Sequence, residues 1–170
     1  SNENKVLVDF FATGAYDRNR DFILTTSPSM DILVSSNLER LLYLMADEST
    51  AAVQTFMDQL KEIGRYEVTE AMKEKAKDFY ADYATEEEVA AQIAALYHAD
   101  GYVIDPHTAV AAHVANTYVA ETDDHTPIII ASTASPYKFP QAVLTAIDPE
   151  FSDDSMEEML DRLRELSGVA

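Results

Sequence analysis

Three hydroxyl side chains directly follow a wholly apolar run in the second half of the chain. The run covers residues 127–131, and Ser132, Thr133 and Ser135 come immediately after it. An uninterrupted apolar run of this length predicts a β-strand that is buried on both faces, as in a parallel sheet. Open α/β sheets bind their ligands at the carboxyl ends of such strands. The pattern therefore predicts a ligand-binding edge at residues 132–136, here called the hydroxyl turn.

A second polar turn is predicted at the same edge. Residues 102–104 form a short β-prone run, and Asp105 followed by Pro106 is typical of a helix start. An alanine-rich helix then connects this run to the apolar run before the hydroxyl turn. Strand, helix and strand in this order predict a right-handed βαβ unit, if both strands belong to one sheet. The helix start and the hydroxyl turn would then share an edge where helix N-termini favour anionic groups.

The rest of the chain has mostly helical periodicity. We predict helices over residues 5–13, from 38 onward and over 153–167, and another that begins after a capping box at 85–88. Residues 49–83 are predicted to form two further helices with a strand-like break at 64–68. A short strand is predicted at 22–26. The predicted fold class is α/β, a helix-rich three-layer αβα arrangement with a short parallel βαβ unit. We predict one compact unit over residues 1–170, comprising a helical segment at 38–84, the βαβ unit at 85–152 and a carboxy-terminal helix at 153–170.

Composition excludes several classes of partner. The 170 residues include 12 basic and 31 acidic side chains, and the net charge of −19 would repel nucleic acid and anionic membranes. No apolar run approaches the ~20 residues of a membrane span, and we expect a cytoplasmic protein. The absence of cysteine excludes disulfides and thiolate metal sites. His98, His113 and His125 lack the spacing of metal ligands, so we expect no metal site.

Four motifs, in order along the chain, resemble threonine synthase. They are Ser-Pro-Ser-Met-Asp-Ile at 27–32, Ser-Ser-Asn-Leu-Glu-Arg at 35–40, Asp-Pro-His-Thr-Ala-Val at 105–110 and Ser-Thr-Ala-Ser-Pro-Tyr-Lys-Phe at 132–139. Jointly they are specific, and the chain resembles the carboxy-terminal portion of that enzyme. The resemblance implies a pyridoxal-phosphate enzyme of the fold type that includes tryptophan synthase β. Threonine synthases convert O-phospho-L-homoserine and water to L-threonine and phosphate.

The same resemblance implies a set of site residues. Thr133, with Ser132 beside it, would contact the pyridine nitrogen of the cofactor. The other positions that would line the active site are Ser29, Asp31, Ser35, Ser36, Asn37, Arg40, His107, Thr108 and Lys138. Either Arg40 or Lys138 would neutralise the substrate phosphate. Plainer roles stay open: a turn hydroxyl for Thr133, a backbone or solvent contact for His107 and a surface ion pair for Arg40.

The chain departs from a whole threonine synthase in one respect. It contains neither the family's Schiff-base lysine motif nor its Gly-Asn-Phe-Gly-Asn phosphate loop, so we expect a fragment whose missing partner is the amino-terminal part of the same enzyme. We therefore predict no catalytic residue here, no activity or cofactor binding by the isolated chain, and self-association through exposed apolar surface. Two alternatives remain: another pyridoxal-phosphate lyase or dehydratase of this fold type, and a free-standing, non-catalytic binding module.

Overall fold

The computed structural model describes residues 1–152 and 155–168. Contacts between residues divide them into two compact units. Unit 1 comprises residues 3–24 and 31–83 with Ser1, and unit 2 comprises Asn2, residues 25–30 and the described residues from Ala84 onward. The prediction of one compact unit did not anticipate this division.

Unit 1 combines short helices with a small antiparallel sheet. Its helices are α1 (Val6–Thr13), α2 (Leu38–Met45), α3 (Thr50–Glu62) and α4 (Glu70–Lys75), and its strands are β1 (Ala15–Asp17) and β2 (Arg65–Glu67). The strands pair with Tyr16 opposite Tyr66, and the two rings stack with their centroids 5.2 Å apart. Strand β2 confirms the predicted strand-like break, whereas β1 was not predicted.

The core of unit 1 forms where α1 and α2 bury their apolar faces against the tyrosine pair. Phe10 and Leu42 are almost completely buried there. Helix α1 ends at Gly14, whose φ of 82° is left-handed and suits glycine. A Cβ at this position would also lie 2.3 Å from Cε of Lys73. Glycine therefore lets the chain turn directly from α1 into β1.

Unit 2 is helical. Its helices are α5 (Glu86–Asp100), α6 (Pro106–Thr122), α7 (Pro140–Ile147) and α8 (Met156–Ser167), with short 3₁₀ turns at Pro28–Met30 and Pro136–Lys138. The predicted capping box is confirmed: Thr85 Oγ1 accepts the Glu88 N–H at 3.2 Å, and Glu88 Oε2 accepts the Thr85 N–H at 2.8 Å. Helix α7 was not predicted, and the predicted start of the last helix at 153 lies outside the described residues.

The core of unit 2 lies among α5, α6, α7 and α8. Val89, Val110, Val143 and Leu163, one from each helix, are at most 1% exposed. Helix α8 contributes Met159 and Leu163 to this core. Met156, at its start, is 58% exposed.

The main difference from the prediction concerns the two strands of the βαβ unit, which do not form in the described residues. Residues 102–104 and 127–131, like residues 22–26, form no strand in the described part of the chain. A strand requires hydrogen bonds from a neighbouring strand, and the only sheet among the described residues is the antiparallel pair of unit 1. Ile129 is consequently 95% exposed rather than buried on both faces. The helix-rich character with a small sheet is correct, but the parallel pairing is not observed.

None of the helices in residues 1–152 and 155–168 is long and apolar enough to cross a membrane.

Candidate functional site

The candidate site in unit 2 is organised by a buried carboxylate. Asp105, only 1% exposed, occupies the N-cap position of α6. Its Oδ1 lies 2.9 Å from both the backbone nitrogen and Nδ1 of His107, and its Oδ2 accepts the hydroxyl of Thr108 at 2.5 Å. A single aspartate thus caps the helix and fixes the two side chains that follow it. The sequence predicted the cap but not these two side-chain contacts.

The hydrogen bonds define the state of the His107 ring. The backbone N–H of Ser29 donates to Nε2 at 3.1 Å, so Nε2 carries no proton. The ring proton therefore sits on Nδ1 and is donated to Asp105, which makes the imidazole neutral. His107 is 8% exposed, and its ring centroid lies 4.9 Å from that of Phe139. His107 therefore anchors the 25–30 segment to the start of α6.

A chain of hydroxyl groups connects this carboxylate to the hydroxyl turn. Thr108 Oγ1 and Ser132 Oγ are 2.8 Å apart. Because the one hydroxyl proton of Thr108 is donated to Asp105, Ser132 must donate to Thr108. The direction of donation is therefore Ser132 to Thr108 to Asp105. The two turns that were predicted to share an edge do meet, although the flanking segments are not strands.

Opposing effects act on the Asp105 carboxyl. Burial by itself would raise the pKa of Asp105, because it disfavours the charged form. Hydrogen bonds donated by Thr108 and His107 stabilise the carboxylate and outweigh burial, so the pKa is lowered from its usual range. The network therefore needs an ionised Asp105, which is its only formal charge.

The 25–30 segment is fixed by a second set of buried polar groups. Asn2 is completely buried, and its Nδ2 donates to Thr25 Oγ1 at 2.8 Å and to Ser27 Oγ at 3.0 Å. These contacts precede the 3₁₀ turn that holds Ser29 beside His107. Sequence reasoning missed Asn2, because nothing in its local pattern indicates a contact 25 residues away.

The remaining predicted residues of unit 2 are Thr133 and Lys138. Thr133 is exposed and follows Ser132 directly. Lys138 ends the 3₁₀ turn Pro136–Lys138 and lines a cleft together with Glu86. The structure thus brings Ser132 together with the Asp105 network, whereas Lys138 faces another part of the unit.

The predicted residues of unit 1 have separate local contacts. Asp31 Oδ1 accepts a hydrogen bond from Asn4 at 3.0 Å, and the Ser35 N–H donates to the Tyr16 hydroxyl at 2.8 Å. Arg40 is exposed and donates to Oδ1 of Asn37, the N-cap residue of α2, at 2.9 Å. Ser36 is exposed. These residues share the segment 31–40 without forming one hydrogen-bonded cluster.

The described residues contain no group of side chains that could bind a metal ion. Across residues 1–152 and 155–168, no three side chains among histidine, aspartate and glutamate are placed to hold an ion together. The groups that the site does bring together are the Asp105 carboxylate, the His107 imidazole and the hydroxyls of Thr108 and Ser132.

Comparison with known proteins identifies relatives over most of the chain. The family model described as "Threonine synthase, C-terminal" matches residues 108–169. "Threonine synthase-like 1" from Homo sapiens is 44% identical over 86% of this chain, which corresponds to 20% of that protein. "Threonine synthase" from Saccharomyces cerevisiae is 35% identical over 98% of this chain and 36% of its own length.

Solved structures agree with these relatives. The crystal structure of pyridoxal-phosphate-bound threonine synthase from Brucella melitensis matches all of this chain with a TM-score of 0.80 and 34% identity, over 35% of that chain. The yeast threonine synthase structure matches 99% of this chain with a TM-score of 0.79 and 35% identity, over 36% of its length. The chain therefore spans between a fifth and about a third of the length of these relatives.

Proposed function

This chain is similar, along nearly its whole length, to the carboxy-terminal portion of threonine synthases, and we propose that it completes the cofactor site of a longer threonine synthase. That protein would convert O-phospho-L-homoserine and water to L-threonine and phosphate. The observation that carries the proposal is the hydroxyl chain from Ser132 through Thr108 to Asp105. It fixes the residue immediately before Thr133, the hydroxyl that we assign to the pyridine ring.

The residues present fit that ring. The Thr133 hydroxyl is exposed, uncharged and able both to donate and to accept a hydrogen bond, so it suits a ring nitrogen in either protonation state. When bound, pyridoxal phosphate supplies the electron sink for bond cleavage next to the amino group. The chain's own contribution is to orient the ring through Thr133 and Ser132. Because no lysine here lies in the family's lysine context, we propose that the 170 residues alone neither bind the cofactor firmly nor catalyse the reaction.

Charged side chains of the predicted set would act on the substrate. Arg40 is exposed, and its hydrogen bond to Asn37 limits its rotation. A guanidinium held in this way can bind a phosphate through two parallel hydrogen bonds. We assign the substrate phosphate to Arg40, with the exposed Lys138 as the alternative.

The test of Thr133 is a cofactor-binding measurement on the longer protein. Thr133→Val keeps the shape of the side chain but removes the hydroxyl, and Thr126→Val makes the same change at another exposed threonine. We expect Thr133→Val to raise the dissociation constant for pyridoxal phosphate by about tenfold, equivalent to one hydrogen bond of about 1.4 kcal/mol. We expect the control to bind as the wild type does. Equal affinities in all three proteins would remove Thr133 from the cofactor site.

A second function is favoured by the sequence identities. The human protein named threonine synthase-like 1 is 44% identical to this chain, whereas the yeast threonine synthase is 35% identical. As the alternative to a threonine synthase, we propose that the longer protein is another pyridoxal-phosphate lyase or a non-catalytic binding module on the same scaffold. Product analysis by NMR separates these alternatives from a threonine synthase, since a different lyase would release phosphate or ammonia from O-phospho-L-homoserine without forming threonine, and a non-catalytic module would form no product.

A further inference from the structure

A cleft of about 650 Å³ opens in unit 2. It is lined by Thr25, Thr26, Pro28, Glu86, Val89, Ala90, Ile93, Lys138, Phe139, Pro140, Gln141, Ala142, Thr145, Met156 and Met159. Its volume lies in the range of small-molecule sites, and its walls combine apolar side chains with few polar ones, as such sites usually do. Neither Ser132 nor Thr133 lines it, whereas Lys138, the alternative phosphate ligand named above, does.

One carboxylate oxygen in this cleft has no partner. Glu86 Oε2 accepts the backbone N–H of Thr26 at 2.9 Å, which links this oxygen to the 25–30 segment. Glu86 Oε1 is buried, and no described residue donates a hydrogen bond to it. Lys138 lines the same cleft, but its ammonium does not reach Oε1 within hydrogen-bonding distance. A buried acceptor without a donor is costly, so a donor supplied from outside would be bound favourably.

We propose that this cleft binds a small primary amine with an apolar tail. The ammonium group carries three N–H donors and the charge that complements Glu86, and a charge-assisted hydrogen bond to carboxylate is stronger than a neutral one. The tail would lie along Val89, Ile93, Phe139 and Met159, the apolar wall of the cleft. A small rotation of the Glu86 side chain brings Oε1 to the ligand, a change that is common on binding.

The net charge of the chain also favours a cationic ligand. A net charge of −19 raises the local concentration of cations and repels anions, so it favours an amine over a carboxylate or phosphate ligand. This long-range attraction acts at every acidic position, whereas the unpartnered oxygen exists only at Glu86 among the buried side-chain atoms of the described residues. Specific binding must therefore depend on Glu86 and not on acidity in general.

The experiment is an NMR titration of the full 170-residue chain with pentylammonium chloride. We expect saturable shifts of the Thr26, Val89 and Ala90 amides, and an affinity at least tenfold weaker in Glu86→Gln. The matched control is Glu87→Gln, which removes the same charge from the exposed neighbouring position and should change the affinity less than twofold. 1-Pentanol, which has the same tail but no charge, should bind at least tenfold more weakly than the ammonium.

A second variant keeps the proposal testable if Glu86→Gln perturbs the fold. Ala90→Leu fills the cleft without changing any charge, and it should abolish the saturable shifts while leaving the circular dichroism spectrum unchanged. Equal weakening by Glu86→Gln and Glu87→Gln, equal binding of the alcohol, or unchanged binding in Ala90→Leu would each overturn the proposal. Absence of saturable binding to the wild type would overturn it as well.

Discussion

Replacing Asp105 by alanine should destabilise unit 2 more than the loss of an ordinary surface charge. The change removes the N-cap of α6, which is worth about 0.5–2 kcal/mol. It also leaves the Nδ1–H of His107 without its acceptor, at a cost of about 1–3 kcal/mol for a buried donor. The Thr108 hydroxyl can turn to Ser132 and adds little. The expected loss of unfolding free energy is therefore about 2–5 kcal/mol.

The assay is urea denaturation followed by circular dichroism, with amide hydrogen exchange in α6 to locate the effect. Asp100→Ala is the matched control, because Asp100 is exposed at the end of α5 and its loss should change stability by less than about 0.5 kcal/mol. Asp105→Asn keeps an acceptor for His107 and should lose about 1–2 kcal/mol. If Asp105→Ala differs from Asp100→Ala by less than about 0.5 kcal/mol, the carboxylate does not organise the site.

The pH dependence provides an independent check of the same network. The folded-state pKa of Asp105 is lowered by hydrogen bonds from Thr108 and His107 that outweigh burial. Its stabilisation is therefore present above the unfolded-state value of about 3.9 and is lost as pH falls through the lower folded-state value. The stability difference between wild type and Asp105→Asn should be largest near pH 7 and shrink below about pH 4. A difference that stays constant from pH 7 to pH 3 would contradict the assignment.

Three further predictions address other parts of the chain. Tyr16→Phe should cost unit 1 about 1–3 kcal/mol in a urea titration, because it leaves the Leu33 carbonyl and the Ser35 N–H without their partner; a loss under about 0.5 kcal/mol would show that water replaces the hydroxyl. Because burial raises the pKa of Tyr16, unit 1 should lose stability above about pH 10, which is the ordinary pKa of tyrosine. Alkaline titration of the tyrosine absorbance should then detect unfolding together with ionisation. Ile129→Lys should reduce self-association measured by light scattering, since Ile129 is 95% exposed; the conservative control Ile129→Val should not.

The starts of α5 and α6 were predictable because their signals are local. Asp105 and Thr85 satisfy the free amides of a helix start from within the same few residues, so the sequence alone identifies them. The strands failed because their signal is not local: an apolar run such as 127–131 becomes a strand only when another strand supplies hydrogen bonds. Strand β1 was missed because its Ala15 and Asp17 are of types uncommon in strands, which leaves Tyr16 as its one strand-favouring residue.

At the candidate site, too, some contacts were predictable from the sequence and others, which depend on tertiary packing, were not. The meeting of the Asp105 turn with Ser132 was predicted correctly, since the segment that follows α6 brings the chain back to the start of the helix whether or not it pairs as a strand. The contacts of Asn2 with Thr25 and Ser27 were beyond prediction, because they depend on tertiary packing. The unpartnered oxygen of Glu86 was also hidden, since Glu86 reads in sequence as a solvated residue of a helix start.

The decisive measurement is made on the longer protein that we propose contains this chain. It is incubated with pyridoxal phosphate and O-phospho-L-homoserine, and phosphate and L-threonine are quantified together, with the isolated 170-residue chain assayed in parallel. We predict equimolar phosphate and L-threonine from the longer protein and neither product from the isolated chain. Phosphate release without threonine, or no turnover of O-phospho-L-homoserine by a cofactor-loaded protein, would contradict the proposed function.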